Sequence, residues 1–432
     1  MDFLQFPPTF FKNNRQKIFE LLPENSIAII AANKKCIRNG DMTFYYRQNS
    51  NFFYLTGINQ AGCILIFNKT YDFLPQEVLF IPKPDKNKEI WTGKLLTSDQ
   101  AQRISAIDQV HYIDNEQNSI YNLLKKLTLK KNVLFYIENE KDYQDFFVGQ
   151  ATVNFKDFIK QNVENESFII DISPLIAKYR QVKTSEEILA IRKSIDITAK
   201  AFLRVLKIVK PGLYEYNIQA EITHEFLSHG IFSHAYYPII AAGINSTILH
   251  YWQNNSVLNN GDILLLDFGA EFMNYAADLS RTIPINGKFS SRQRQVYLSV
   301  LKAQRYAKSI IKPGITINEI NEKTGAFVEN ELLELGLLTS DEVKYATSTP
   351  AYKRYFMHGT SHFLGLDVHD VGTKDTPLKP GHVITCEPGI YIPDEGFGIR
   401  LENDLLITDE GNIDLMENIP IEPEEIESLM NS

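Results

Sequence analysis

Two stretches of this chain repeat one arrangement, and each ends in a carboxylate. Gly261-Asp-Ile-Leu-Leu-Leu-Asp267-Phe-Gly269 and Gly381-His-Val-Ile-Thr-Cys-Glu387-Pro-Gly389 both run from a glycine through a β-prone apolar segment to an acid and a second glycine. A further acid follows each, Asp278 within Tyr275–Thr282 and Glu402 within Gly398–Asn403. Carboxylates on apolar strands are costly to bury unless cations neutralise them. Two divalent ions cancel four negative charges, whereas one leaves a surplus in a low-dielectric cleft. The expectation is a pair of metal ions.

Histidines complete the donor set. Three of the nine fall between His358 and Gly372, in His358-Gly-Thr-Ser-His362-Phe-Leu-Gly-Leu-Asp-Val-His369-Asp-Val-Gly372, among glycines and apolar residues. His362 is the candidate for a neutral imidazole on metal, with His358 and His369 left to exchange protons near a substrate. His250, just before the first acid strand, is a further candidate, while His111, His224, His229, His234 and His382 read as structural. Arg400 and Glu402 are two apart on an expected strand and so share a face, where Arg400 can orient and partly neutralise a carboxylate. Carboxylate-rich ligation with one imidazole suits hard or borderline ions, manganese first, with cobalt or zinc as substitutes. Two such ions about 3.5 to 4 Å apart can hold a bridging hydroxide and polarise a carbonyl. That chemistry is hydrolysis.

The elements that must position these groups follow from periodicity. Between Ser26 and Asp171, strand candidates Ile27–Ala31, Cys63–Phe67, Val78–Ile81 and Val133–Ile137 alternate with polar helical stretches, which predicts an α/β domain with a mixed sheet over residues 1–173. Thr184-Ser-Glu-Glu187 forms a capping box for a long helix with Ile188, Ile191, Ile195, Ala199, Phe202 and Leu206 at helical spacing. That helix stops at Lys210-Pro-Gly212, and a second amphipathic run through Val296, Val300, Ala303 and Ile310 stops at Lys312-Pro-Gly314. Residues 174–432 are therefore expected to form an α+β domain of two pseudo-equivalent halves. Each is helix, turn, helix and hairpin, with the acid-bearing strand pairs meeting across an internal pseudo-twofold. The acidic tail after Ile421 is expected to be solvated.

Bulk properties exclude several classes. The 432 residues are 44% hydrophobic and 22% charged, which is ordinary for a globular chain of two or three domains. A net charge of −9 gives no field for nucleic acid or anionic lipid. Cys36, Cys63 and Cys386 are odd in number and widely spaced, so neither a disulfide framework nor a thiolate zinc site is expected. No signal peptide or long apolar span is seen, and the cytoplasm is the expected location.

With these residues in hand, the chain resembles the pita-bread metallopeptidases, and among them the aminopeptidase P family. The match also includes Tyr46-Arg-Gln-Asn-Ser50, Phe53-Tyr-Leu-Thr-Gly57, Glu89-Ile-Trp-Thr-Gly93 and the closing Pro423–Met430. The resemblance implies a two-metal site of Asp267, Asp278, His362, Glu387 and Glu402, with Asp278 and Glu402 bridging and Glu387 also shuttling a proton. By the same resemblance His250, His358 and His369 surround the substrate, His369 steadying the tetrahedral intermediate, and Tyr391 and Arg400 line the proline side. Trp91 matches a tryptophan that reaches a neighbouring subunit's active site, which implies a homodimer or homotetramer. Asn403 departs from the family, which often has an acid there.

The implied activity is removal of the first residue from peptides with proline second. An X-Pro bond has no N–H to grip and its ring restricts the preceding residue, so metal polarisation and a shaped ring pocket must serve instead. The nearest rival is an Xaa-Pro dipeptidase with the same ligands. Methionine aminopeptidases lack the large N-terminal domain, and creatinase-like enzymes need no metal. From another class, pita-bread domains also serve as non-catalytic protein-binding modules, which typically lose ligands that this chain keeps.

Overall fold

The computed structural model describes residues 6–70, 75–113, 132–138 and 168–432. By its internal contacts the chain divides into two compact units, 1–180 and 181–432.

In the first unit, strands β1 (Ser26–Ala31), β4 (Ile64–Asn68), β5 (Glu77–Pro82), β6 (Val110–Ile113), β7 (Leu134–Ile137) and β8 (Ile169–Asp171) form one sheet, and β2 (Ile37–Asn39) and β3 (Met42–Thr43) a separate hairpin. The sheet order is β6-β5-β4-β1-β7-β8. Its β1–β4 and β4–β5 pairs are antiparallel and its β5–β6, β1–β7 and β7–β8 pairs parallel. The mixed sheet expected from the strand candidates is present. Ile27, Ile29, Ile66, Val78 and Phe135 pack together at alternate strand positions on one face, and β1 and β4 are buried on the other face as well. Helical stretches expected within 114–131 and 139–167 lie outside the described residues.

The second unit is built on four helices, Ser185–Ile208, Glu215–Ser228, Ser291–Ile310 and Ile317–Glu334. Thr184 and Glu187 make the expected capping box, and Ser290 and Gln293 repeat it at the third helix. Strands β9 (Ile239–Ala242), β10 (Ile263–Phe268) and β13 (Leu279–Pro284) form an antiparallel sheet, with the small hairpin β11 (Glu271–Phe272) and β12 (Tyr275–Ala276) beyond it. In the other half, β14 (Val383–Cys386), β17 (Asn403–Ile407) and β18 (Asn412–Asp414) form the second sheet, and β15 (Gly389–Ile392) pairs with β16 (Phe397–Arg400).

The two halves share their joints. Gly212 and Gly314 end the Lys-Pro-Gly turns at φ +89° and +90°, and Gly261 and Gly381 open the acid strands at +91° and +89°. These are left-handed conformations that glycine adopts without strain. Gly212 N–H donates to the Leu258 carbonyl at 2.9 Å and Gly314 N–H to that of Leu378 at 2.8 Å, so each turn is tied to the loop ahead of its own acid strand. The internal pseudo-twofold is thus present down to single hydrogen bonds.

The tail departs from expectation. Pro423–Met430 is a helix with Ile426 fully buried, and Glu427 accepts from Phe289 N–H at 3.0 Å. Buried Pro423 and Ile426 dock the acidic segment, and Glu422 and Glu424 pair with Arg305 and Arg294.

Among the histidines read as structural, His234 has a pH consequence. Thr223 Oγ1 donates to the Gln219 carbonyl at 2.9 Å and lies 2.9 Å from His234 Nε2, so Nε2 carries the proton. Nδ1 is buried without a partner, and burial pulls the imidazole down to about 4. The folded state therefore takes up this proton only well below the unfolded value of about 6.5. The stability from this group is complete above pH 6.5 and is lost as pH falls toward 4, about 2 kcal/mol of it by pH 5. Urea unfolding of the protein and of His234→Gln at pH 7.5 and 5 should show the smaller pH loss in the variant, and equal losses would refute the assignment.

Candidate metal centre and active site

All four acids and His362 meet in one cavity of about 310 Å³, whose lining also includes Tyr236, His250, His358, His369 and Arg400. Asp267 sits in β10 opposite Ser280 of β13 and Ile239 of β9. Asp278, Glu387 and Glu402 each occupy a short break between assigned strands. Asp267 is 9% exposed, Asp278 5% and Glu402 2%. The small Ala276 and Ala277 beside Asp278 are fully packed, in keeping with the crowded interior expected there.

Electrostatics express the crowding. Burial, and then the charge of Asp278, raises Glu402 well above the carboxylate range. Burial lifts Asp267 as well, against the opposing pull of Arg400. Glu387 is pushed up to about 7 by burial, with His362 opposing and Asp278 adding. At His362 burial works downward, but its bond to Asp278 and the charge of Glu387 outweigh it and raise the imidazole to about 9. Its Nδ1 donates to the Phe363 carbonyl at 3.0 Å, which turns Nε2 toward Asp278 at 3.4 Å and Glu387 at 3.5 Å. A proton held there by carboxylates marks where a metal ion would compete. Asp278, His362 and Glu402 can each offer one ligand atom within 4.8 Å of the others. The donor set of clustered carboxylates and one imidazole fits hard or borderline cations.

Arg400 is the permanent cation of the cavity lining. It donates to Ser280 Oγ at 2.9 Å, to Tyr391 Oη at 2.9 Å and to Asp267 Oδ2. Tyr391 is 2.7 Å from Nε2 of His358, whose Nδ1 faces the Gly359 carbonyl at 2.7 Å. His358 is held down to about 3 by burial and by Arg400. Both its nitrogens are engaged, so proton exchange with a substrate needs one of these bonds to open. His369 lies edge-on to His362 with ring centroids 4.4 Å apart, and its loop is pinned by the buried Lys183–Asp370 ion pair at 2.8 Å. His250 lines the cavity. Trp91 is on the helix Lys86–Thr92 of the first unit, 86% exposed, and is not in the cavity lining.

The register reassigns one equivalence read from the sequence. Asp267 pairs with Ser280 and Gly389 with Arg400, and Ala277 N–H bonds to Ala270 at 3.0 Å, which carries the first ladder on through Gly269 and Asp278. The twofold therefore sets Asp278 against Arg400 and Ser280 against Glu402, not acid against acid. Ser280 Oγ donates to Glu402 at 2.7 Å near the axis. Arg400 N–H donates to Thr282 Oγ1 at 3.2 Å, and at the related position Asp278 N–H donates to Asp404 Oδ2 at 3.2 Å.

Tyr236 and Asp404 escape sequence reasoning. Tyr236 Oη lies 2.6 Å from both Asp267 Oδ1 and Asp278 Oδ1. Tyr236 has a single hydroxyl proton to offer these two oxygens, so the acids contend for it. Nothing in Ser233-His-Ala-Tyr-Tyr-Pro238 marks the first tyrosine, which precedes a buried strand in an unpatterned loop. Asp404, fully buried, faces Thr385 across the ladder; Thr385 in turn binds His362 N–H at 3.1 Å and Glu387 at 3.3 Å. Loss of such supporting bonds typically costs roughly 10- to 100-fold in metal affinity. Asp404→Ala should weaken metal binding by that factor in calorimetry and Asp404→Asn, which keeps an acceptor, much less. Equal affinities for the two variants would contradict the assignment.

Comparison with known proteins gives these groups a context. Residues 190–409 match the metallopeptidase family M24 and residues 11–134 the aminopeptidase P N-terminal domain. The chain is 37% identical to an Xaa-Pro aminopeptidase of Escherichia coli over 97% of both chains, and 35% identical to one of Haemophilus influenzae over 99% of this chain and 98% of the other. It is similar to the zinc-substituted E. coli aminopeptidase P in complex with product, with a TM-score of 0.88, 34% identity and 99% of each chain covered. The acid-rich cavity thus lies in a chain that belongs to the metal-dependent M24 metallopeptidases of the aminopeptidase P type.

Proposed function

We propose that this protein is an Xaa-Pro aminopeptidase that removes the first residue from peptides with proline second, using two divalent ions. The observation that carries this reading is the convergence of Asp267, Asp278, His362, Glu387 and Glu402 on one cavity that Arg400 also lines, with the fully buried Tyr391 outside the lining and bonded to Arg400 and His358. These five side chains would hold the metal, and among them Asp278, His362 and Glu402 can offer ligand atoms within 4.8 Å of one another. When bound, the ions activate water and polarise the scissile carbonyl. Manganese is the expected native metal, with cobalt or zinc as substitutes.

The chain's own groups do the remaining work. The substrate's free amine would be read by the metal or by an acid of the cavity floor. Glu387, whose carboxyl burial has pushed up to about 7, is suited to take a proton from water and pass it to the proline nitrogen, which must leave as an amine. Arg400 fixes Tyr391, and Tyr391 fixes a neutral His358, so the rings of His358 and Tyr391 are held in place by bonds made among themselves. His369 and His250 flank the carbonyl, where His369 steadies the developing oxyanion. Trp91, exposed on its helix, would meet the active site of a neighbouring copy in a homodimer or homotetramer. A cytoplasmic location accords with the described residues, among which no helix is long and apolar enough to cross a membrane.

The test is a manganese-reconstituted assay on an X-Pro-Y tripeptide, an X-Ala-Y control and a Gly-Pro dipeptide. Release of the first residue from the proline tripeptide alone is the expected result. Cleavage of the dipeptide only indicates an Xaa-Pro dipeptidase, and absence of both cleavage and stoichiometric metal indicates a protein-binding module.

A further inference from the structure

We propose that Tyr237 and Trp252 form an aromatic shelf for the peptide's third residue, giving the enzyme a preference for an aromatic side chain directly after proline. This rests on the peptidase reading above and extends it to the part of the substrate beyond the scissile bond.

Trp252 is 66% exposed, and of the two tryptophans it is the one in the cavity lining, Trp91 lying outside it. Tyr237 is 61% exposed, and both rings line the same cavity as the four acids. Exposed aromatic surface beside a binding cavity marks a contact site more than a packing defect.

Their backbones are rigid although the rings are bare. Asn254, 2% exposed with φ +47°, donates from Nδ2 to the Pro238 carbonyl at 2.8 Å and accepts from Ile240 N–H at 3.1 Å. One side chain thereby ties the segment that follows Tyr237 to the segment that carries Trp252. Tyr251, next to Trp252, is buried and donates to Glu215 at 2.8 Å. The two rings hang from a braced frame, so the backbone that carries them needs little further ordering when a ligand arrives.

Direction follows from depth. The residues that would hold the metal fix the scissile bond at the nearly buried end of the cavity, so the remainder of the peptide leaves past the exposed lining that carries Tyr237 and Trp252. An extended chain advances about 3.3 to 3.6 Å per residue, which carries the third residue about 7 Å beyond the first. Neither ring is charged, and a flat apolar side chain gains most from an offset or edge-on aromatic contact.

The test compares KM for Xaa-Pro-Phe and Xaa-Pro-Gly peptides in the manganese-loaded protein and in Trp252→Ala, Trp252→Phe and Tyr237→Ala. KM should be roughly 5- to 10-fold lower for the phenylalanine peptide in the unmodified protein. That ratio should fall toward one in the alanine variants and persist in Trp252→Phe, while kcat changes little. A KM ratio near one in the unmodified protein, or one that survives both alanine variants, overturns the shelf and leaves the peptidase reading intact. So does a Trp252→Ala variant that alters mass in solution but not the KM ratio, because the face then belongs to a subunit contact. No cleavage of either peptide removes the peptidase reading and the shelf with it.

Discussion

Asp278→Asn is expected to lower kcat/KM by at least about a thousandfold, about 4 kcal/mol of transition-state stabilisation, without unfolding the protein. Asp278 is the point at which the cavity's groups meet: its carboxylate faces Tyr236 at 2.6 Å and His362 at 3.4 Å, and its N–H is held by Asp404 at 3.2 Å. Asparagine keeps the shape and an acceptor for Tyr236 but removes one charge from the ligand set. Elemental analysis should find less than the unmodified protein's complement of metal. The metal-free variant should melt close to the unmodified protein, because the charge of Asp278 is among the main causes raising Glu402 and Glu387, and its loss relieves both. Stability and activity should therefore separate. A variant that binds full metal, or that loses activity only by unfolding, would remove Asp278 from the ligand set.

Much of this site was legible because its physics is local. A glycine, an apolar strand and an acid give a carboxylate a buried position whatever the rest of the chain does. The density of histidines among glycines between His358 and Gly372 also survives without coordinates. The capping box at Thr184 and the paired Lys-Pro-Gly stops give the halves before any contact is known. The missed parts depend on register and on long-range closure. Asp278 looks like the partner of Glu402 because each is the next acid along, yet the second hairpin is the longer one, and the ladder sets Arg400 where Asp278 stands in the first half. Tyr236 reaches the acids from a loop whose composition gives no hint of its destination. Asp404 is one of many acids in the sequence until a backbone 126 positions away donates to it. Ile426 docks a tail whose composition alone predicts solvation.

Arg400→Met is expected to destabilise the metal-free protein by about 3 to 5 kcal/mol, the range for removing one partner of a buried ion pair, and the metal-loaded protein by clearly less. Arg400 is 4% exposed and compensates the buried acids, donating at once to Asp267, Ser280 and Tyr391. Without it, Asp267 keeps the Tyr236 hydroxyl, which Asp278 also contends for. Bound divalent ions supply the missing positive charge directly, and their binding energy adds to folded-state stability by mass action. The gap in melting temperature between metal-free and metal-loaded forms should therefore widen in the variant. A parallel loss in both forms would mean that Arg400 acts through packing alone. The register gives this its structural meaning, since the pseudo-twofold that repeats the frame exchanges an acid for a base at one position. A duplicated scaffold bearing acids at both positions would hold a fifth carboxylate in the same cavity. Arg400 in place of that acid lets the frame fold before metal arrives, while Asp278 at the related position keeps a carboxylate proposed as a ligand for it.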